Sequence, residues 1–229
     1  MSDNCRGTRD SSGPPFAQEG HRRQAAIAVR CDVHVLPTVP YGHPTTMGIT
    51  SSALGPFSQE ARRAVLPGLL LAVCTLLFGF GLGVVFGLNE EAITSRLAAS
   101  AAAAPAAIYQ GDAAAIKAVL AKSWNYMQRS HLHAGALGTA AIALTMVVLL
   151  IGTRTNIARA VSLGLGAGGL GYSIFWVWAG ARAPSLGSTG AAKESLRWLA
   201  IPSSGLVVAS TAAVAALLAV TIVRRTRVA

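Results

Sequence analysis

The chain has 229 residues, of which 52% are hydrophobic and only 12% are charged. Soluble domains usually carry about twice that charged fraction, so the composition excludes an ordinary soluble protein and indicates an integral membrane protein. The formal net charge is +10. The basic residues mostly flank apolar runs without an aromatic-interleaved basic patch, so membrane orientation and lipid contact explain them better than nucleic acid does.

The N-terminal part of the chain differs from the rest in composition. It is rich in Ser, Gly, Pro, Arg and His and shows no sustained apolar periodicity, which predicts a disordered segment over residues 1–58. Met47 opens a more ordinary stretch, and we hypothesise that translation starts there and that residues 1–46 are either not translated or a dispensable tail. Under that hypothesis, three histidines carry no function: His21, His34 and His43.

Four apolar runs follow the N-terminal segment. Each is long enough to cross the hydrocarbon core of a bilayer, which needs roughly 20 helical residues. The runs predict transmembrane helices over about 64–88, 133–153, 157–180 and 200–223. We therefore predict an all-α fold over residues 59–229, an integral membrane bundle of four transmembrane helices.

The connection between the first two runs is roughly 40 residues long, too long for a tight turn. Residues 95–104 are nearly all good helix formers until Pro105 interrupts them. Asp112 fits the N-cap of a second helical segment, whose apolar residues recur at helical spacing. The pattern predicts an outer helical excursion, either a helix lying at the membrane interface or a hairpin built with an extension of the first helix.

Glycines recur at helical spacing in two of the runs. Gly79, Gly83 and Gly87 lie four residues apart in the first run, and Gly164 and Gly168 do so in the third. Small residues at this spacing let neighbouring helices approach closely. We therefore expect these positions to pack against copies of the chain or against other membrane subunits, in addition to the contact that the spans make with the lipid bilayer.

The basic residues also indicate an orientation. Four spans place both termini on one side of the membrane, and on that side the arginines lie close to helix ends: Arg62, Arg63, Arg154, Arg159, Arg224, Arg225 and Arg227. Basic residues concentrate at helix ends on the cytoplasmic side. This predicts a multi-pass protein of a cell inner membrane with both termini in the cytoplasm.

Candidate chemistry is concentrated in residues 124–133, which lead into the second run. His131 and His133 are two residues apart, so on a regular helix they point about 200° away from each other and cannot easily share one metal. One imidazole facing the bundle interior could ligate haem iron or copper. Three neighbours are further candidates for a cofactor-binding site: Trp124, Tyr126 and Arg129.

Two carboxylates lie at the end of the first run. Glu90 and Glu91 could join His131 or His133 in a metal site, or orient an imidazole by a hydrogen bond. The alternative is that both histidines are ordinary interfacial residues without a ligand. Neither CxxC nor CxxCH occurs, so cysteine-ligated zinc and covalently attached c-type haem have no support.

The run His131-Leu-His133-Ala-Gly-Ala-Leu137-Gly138 has the form HxHxxxLG at the start of a hydrophobic helix. It resembles a motif of bacterial membrane proteins related to the haem-copper oxidase subunit I superfamily. In those relatives, further membrane histidines complete the haem and copper sites. The third and fourth runs here contain none, which excludes a complete oxidase site. The resemblance leaves two possibilities. One is a single haem held by one histidine together with Met127, Met146 or a residue of a second subunit, and the other is a relic without a cofactor.

Two functional hypotheses follow. The first is an accessory or structural subunit of a respiratory-type membrane complex, without catalysis of its own as an isolated chain. The second is a small redox protein that binds haem or quinone near the outer face through the segment containing His131 and His133. In the second hypothesis, Arg182 and Arg197 are available to haem propionates.

Overall fold

The computed structural model describes residues 59–227, so the predictions for residues 1–58, including the translation start at Met47, lie outside the described residues. Residues 59–227 contain helices and connecting turns and no strand. The helices are α1 (Gln59–Ala102), α2 (Ala106–Tyr109), α3 (Ala113–Leu150), α4 (Thr155–Arg182), α5 (Thr189–Ser195) and α6 (Arg197–Thr226). Four of them, α1, α3, α4 and α6, are long and apolar enough to cross a membrane. The predicted all-α bundle of four such helices is confirmed.

Helix α4 lies at the centre of the bundle. It packs against α1, α3 and α6, whereas α6 packs mainly on α4 and makes no close contact with α1. Half of the apolar stretch of α4 is buried, against 11% of that of α6. The free face of α6 exposes aliphatic side chains that suit contact with lipid tails: Ile201, Leu206, Val208, Val220 and Ile222.

Glycines allow the close helix contacts. A Cβ on Gly168 would lie 2.7 Å from the carbonyl oxygen of Ser203 in α6, and one on Gly79 would lie 2.9 Å from the Cβ of Ala134 in α3. Gly164 meets Ser210 of α6 in the same way, and Gly83 meets His131 of α3. Four of the five glycines predicted to pack therefore do so within this chain. Only the fifth of that set, Gly87, has nothing within 4 Å of its Cβ position.

The predicted excursion between the first two spans is a helical hairpin whose first arm is the end of α1. This helix continues past the predicted end of the first span at Leu88 and bends at Asn89, where φ of −131° and ψ of 25° are not helical. The Asn89 side-chain amide donates a hydrogen bond to the carbonyl of Val85 at 3.2 Å. The bend therefore separates the apolar part of α1 from the arm over residues 90–102.

The second arm of the hairpin is the first half of α3. Asp112 caps it as predicted, because its carboxylate accepts hydrogen bonds from two N–H groups of the first turn. Between the arms, the Tyr109 hydroxyl donates to the Pro184 carbonyl at 2.6 Å. Burial raises the pKa of this hydroxyl, so it stays protonated and remains a donor. The hairpin is thus held against the segment between α4 and α5.

The bundle has two distinct ends. We call the end that carries the hairpin the hairpin end. The opposite end, where α1 and α4 begin and α3 and α6 finish, is called the basal end.

Candidate functional site

The two histidines lie on different sides of α3, as the helical spacing predicts. His131 contacts α1, and His133 contacts α4. We call these two sides of α3 the His131 face and the His133 face. Because the rings meet different helices, the two imidazoles do not converge on one site.

On the His131 face, the imidazole bonds to the backbone of α1. Its Nδ1 lies 2.7 Å from the carbonyl oxygen of Gly79. A carbonyl oxygen only accepts hydrogen bonds, so Nδ1 carries the proton and donates. In the neutral ring Nε2 then has a free lone pair, and within residues 59–227 it has no hydrogen-bond partner.

Gly83 provides the space for this ring. A Cβ at that position would lie 2.8 Å from His131 Cε1, so any larger residue would displace the imidazole. Beside the ring is a shallow cavity of about 360 Å³. It is lined by Gly83, Phe86, Gln128, His131 and Leu132. The imidazole is therefore both fixed on one side and accessible on the other.

The depth of His131 follows from the register of α1 against α3. Its partners Gly79 and Gly83 precede Leu88, the predicted end of the first span, by nine and five residues. At 1.5 Å per residue, the ring lies about 7–14 Å inside that end. Ionisable residues at such depth usually mark a functional site in a membrane protein.

On the His133 face, aromatic rings surround the imidazole. The His133 ring stacks on Tyr172 with centroids 5.3 Å apart and meets the edge of Trp176 at 5.7 Å. The indole N–H of Trp176 is buried and has no acceptor within residues 59–227. The rings themselves fill the space next to His133, so this imidazole has a packing role in the structure.

Two cations lie above the same aromatic cluster. The Arg129 guanidinium is 5.5 Å from the Tyr126 ring centroid and 5.4 Å from that of Trp176. The Lys193 ammonium group is 5.9 Å from the Tyr126 ring. All three distances are within the range of cation–π attraction, which stabilises the cluster at its hairpin end.

The structure divides the predicted cofactor pocket between the two faces. Trp124 lies on the side of α1, where it meets the Phe86 ring edge-on with centroids 5.5 Å apart. Tyr126 and Arg129 lie on the side of α4. Trp124 is therefore not brought together with Tyr126 and Arg129, although all three belong to one short segment.

The two methionines proposed as second haem ligands lie at very different distances from His131. Met127 precedes His131 by one turn of α3 and is buried, where it packs with Phe86 and Leu97 of α1 and its Cγ would be 2.7 Å from a Cβ on Gly180 of α4. Met146 follows His131 by 15 residues, or about 22 Å along the same helix. Met146 is therefore too far along α3 to share a haem iron with His131, whereas a role for Met127 or for a second subunit stays a prediction.

The carboxylates proposed for a metal site are exposed on the hairpin arm. Glu90 follows Gly83 by seven residues, which is about 10 Å along α1. Within residues 59–227, no group of three or more His, Cys, Asp or Glu residues is placed to hold a metal ion. A metal site that includes Glu90 or Glu91 stays a prediction. Arg197, proposed for haem propionates, pairs with Glu194 at 3.2 Å.

Several residues around the histidines were not identified from the sequence. One signal was present, since Tyr172 and Trp176 are four residues apart and thus share a helix face. No sequence signal marks the Gly79 carbonyl, because it is a backbone group of another helix. Phe86 lines the His131 cavity from outside the candidate segment 124–133, whereas Gln128 and Leu132 line it from within that segment without having been named as site residues.

Comparison of the chain with protein-family models, with curated proteins and with solved structures finds no match. The resemblance of HxHxxxLG to proteins related to the haem-copper oxidase superfamily therefore stays a prediction.

Proposed function

We propose that this multi-pass membrane protein is an accessory subunit of a larger, respiratory-type membrane complex, and that the hairpin holds its partner. The supporting observation is the hairpin itself. The arm of α1 continues 14 residues beyond Leu88, about 21 Å, and packs on α3 through Ile93 and Leu97. An ordered extension of this length is not needed to cross the bilayer, and it presents a fixed surface to another protein.

A groove between the two arms is the surface on which the partner would dock. It has a volume of about 300 Å³ and is lined by Thr94, Leu97, Lys117, Leu120, Ala121 and Trp124. Apolar and aromatic residues form most of the lining, with one hydroxyl and one ammonium group. Protein interfaces commonly combine an apolar centre with a polar rim in this way. The groove suits an apolar segment of a partner subunit that also carries a carboxylate.

Site-specific photo-crosslinking in native membranes tests this assignment. A photoreactive amino acid at Ala121, which lines the groove, should form a covalent adduct with one other membrane protein. The matched control is Lys122, which is exposed on the same arm but does not line the groove. Equal adducts at both positions, or lipid adducts alone at Ala121, would contradict a partner in the groove.

We place the chain in a cell inner membrane with both termini in the cytoplasm, because seven arginines lie close to helix ends at the basal end, against Arg182 and Arg197 at the hairpin end. The hairpin then lies outside the cytoplasm. A cysteine introduced at Lys122 should react with a membrane-impermeant maleimide added to intact cells, whereas one at Arg225 should react only after the membrane is opened. Labelling at Arg225 but not at Lys122 in intact cells would place both termini outside the cytoplasm instead.

A second candidate function is supported by the geometry of His131. Histidines that ligate a metal usually donate their other ring N–H to a carboxylate or a backbone carbonyl. His131 does so through Nδ1 to Gly79, which leaves Nε2 available to a haem iron. A bound haem would supply one-electron chemistry. A quinone would instead be held by the Gln128 amide, since Nε2 of the neutral ring has no proton to donate.

An optical spectrum of protein purified from its native membrane, oxidised and then reduced with dithionite, tests this second function. A haem protein gives a Soret band whose associated α and β bands sharpen on reduction. His131→Ala should abolish these bands, whereas His133→Ala, the matched control, should retain them. A featureless spectrum of the wild-type protein would exclude haem. An organic extract of the purified protein that contained no quinone would exclude a bound quinone.

A further inference from the structure

A second concave site lies at the basal end, far from the histidines. It is a cleft of about 770 Å³ between the start of α1 and the start of α4. Its charged lining residues are Arg63, Arg154 and Arg159, with Glu60 as the single acid. Three guanidinium groups against one carboxylate make the cleft strongly positive. Such a concentration of one sign of charge attracts an anion.

The three arginines have no carboxylate partner within residues 59–227. No ion pair within 4.0 Å joins any of the three to a carboxylate of that part of the chain, and Arg197 pairs with Glu194 at the other end of the bundle. Glu60 lines the cleft without reaching ion-pair distance from any of the three guanidinium groups. Their positive charge is therefore available to a ligand.

The start of α4 adds backbone donors to the same cleft. The N-cap is Arg154, and no side chain caps this end of the helix. The N–H groups of Thr155 and Asn156, which line the cleft, have no carbonyl acceptor within their own helix. A helix N-terminus binds anions, phosphate groups in particular, through such N–H groups and through its dipole.

The remaining lining of the cleft is apolar and indicates the kind of anion. Ala64, Pro67 and Ile157 lie next to the arginines at the beginning of two membrane-spanning helices. A free anion gains nothing from apolar residues, whereas a lipid carries both a phosphate and a hydrocarbon chain. We propose that this cleft binds the phosphate of an anionic phospholipid headgroup. Basic pockets between membrane helices suit such headgroups.

Native mass spectrometry of the full-length protein in detergent tests the proposal. Phosphatidylglycerol, phosphatidylcholine of the same chain length, and inorganic phosphate are each titrated. The wild-type protein should bind phosphatidylglycerol about tenfold more tightly than phosphatidylcholine. Arg63→Ala, Arg154→Ala and Arg159→Ala should each weaken that binding about fivefold. Glu60→Gln, which removes the opposing charge, should strengthen it.

Arginines at the end of α6 provide matched controls, because they lie at the same end of the bundle but do not line the cleft. Arg224→Ala and Arg225→Ala should change the affinity for phosphatidylglycerol less than twofold. Equal weakening by both sets, or no preference over phosphatidylcholine, would overturn the site in favour of a diffuse basic surface. Inorganic phosphate bound as tightly as phosphatidylglycerol would overturn the lipid assignment. Arg154→Lys keeps the positive charge and should therefore keep most of the affinity for phosphatidylglycerol, which separates loss of charge from misfolding.

Discussion

On the His131 face of α3, one ring nitrogen bonds to a backbone carbonyl of α1 and the other lies free beside a cavity. On the His133 face, two residues later, the imidazole is stacked on Tyr172 and covered at its edge by Trp176. The residues opposite each ring account for the difference. Glycines in α1 leave the backbone and the adjoining space open, whereas the large aromatics of α4 close them.

The largest effect is expected from removing a large aromatic ring from the His133 face. Trp176→Ala should lower the free energy of unfolding by about 3–5 kcal/mol, because it removes the ring that touches Tyr126, Tyr172 and His133. The measurement is the unfolding midpoint of detergent-solubilised protein. Trp176→Phe is the matched control, and it should cost much less because it keeps ring contacts and removes the unpaired indole N–H. Equal losses would show that the cluster does not depend on ring packing.

On the His131 face, stability should instead fall when a larger side chain is added. Gly79→Leu should destabilise the fold by about 1–3 kcal/mol, since a Cβ there lies 2.9 Å from that of Ala134 and the longer side chain must separate α1 from α3. Gly87→Leu introduces the same side chain into α1 where nothing lies within 4 Å. It should leave the unfolding midpoint nearly unchanged. A comparable loss at both positions would indicate a general intolerance of α1 rather than a close contact at Gly79.

Much of this architecture was predictable because it depends on local patterns. Apolar runs of sufficient length predict the four spans, and Asp112 ahead of a periodic segment predicts the cap of α3. The opposite directions of His131 and His133 follow from helical spacing alone. Each of these features is determined by residues within a few turns of one another.

The remaining features depend on how separate helices meet. The depth of His131 is set by the contact of Gly79 with Ala134, a pairing across 55 residues that no local pattern encodes. The split of Trp124 from Tyr126 depends on which helix faces each side of α3. The sequence also left open an interfacial helix or a hairpin, because the apolar stripe of early α3 suits either lipid or the arm of α1.

The smallest expected effect compares the two histidines directly. His131→Phe should lower the free energy of unfolding by about 1 kcal/mol, because it removes the hydrogen bond to Gly79. The loss stays modest because the Gly79 carbonyl can still accept from its own helix. His133→Phe keeps an aromatic ring against Tyr172 and Trp176, so its unfolding midpoint should remain close to that of the wild-type protein. If His133→Phe proved the more damaging, the polar ring of His133 would be needed in the cluster, and the assignment of His131 as the chemically engaged histidine would have to be reversed.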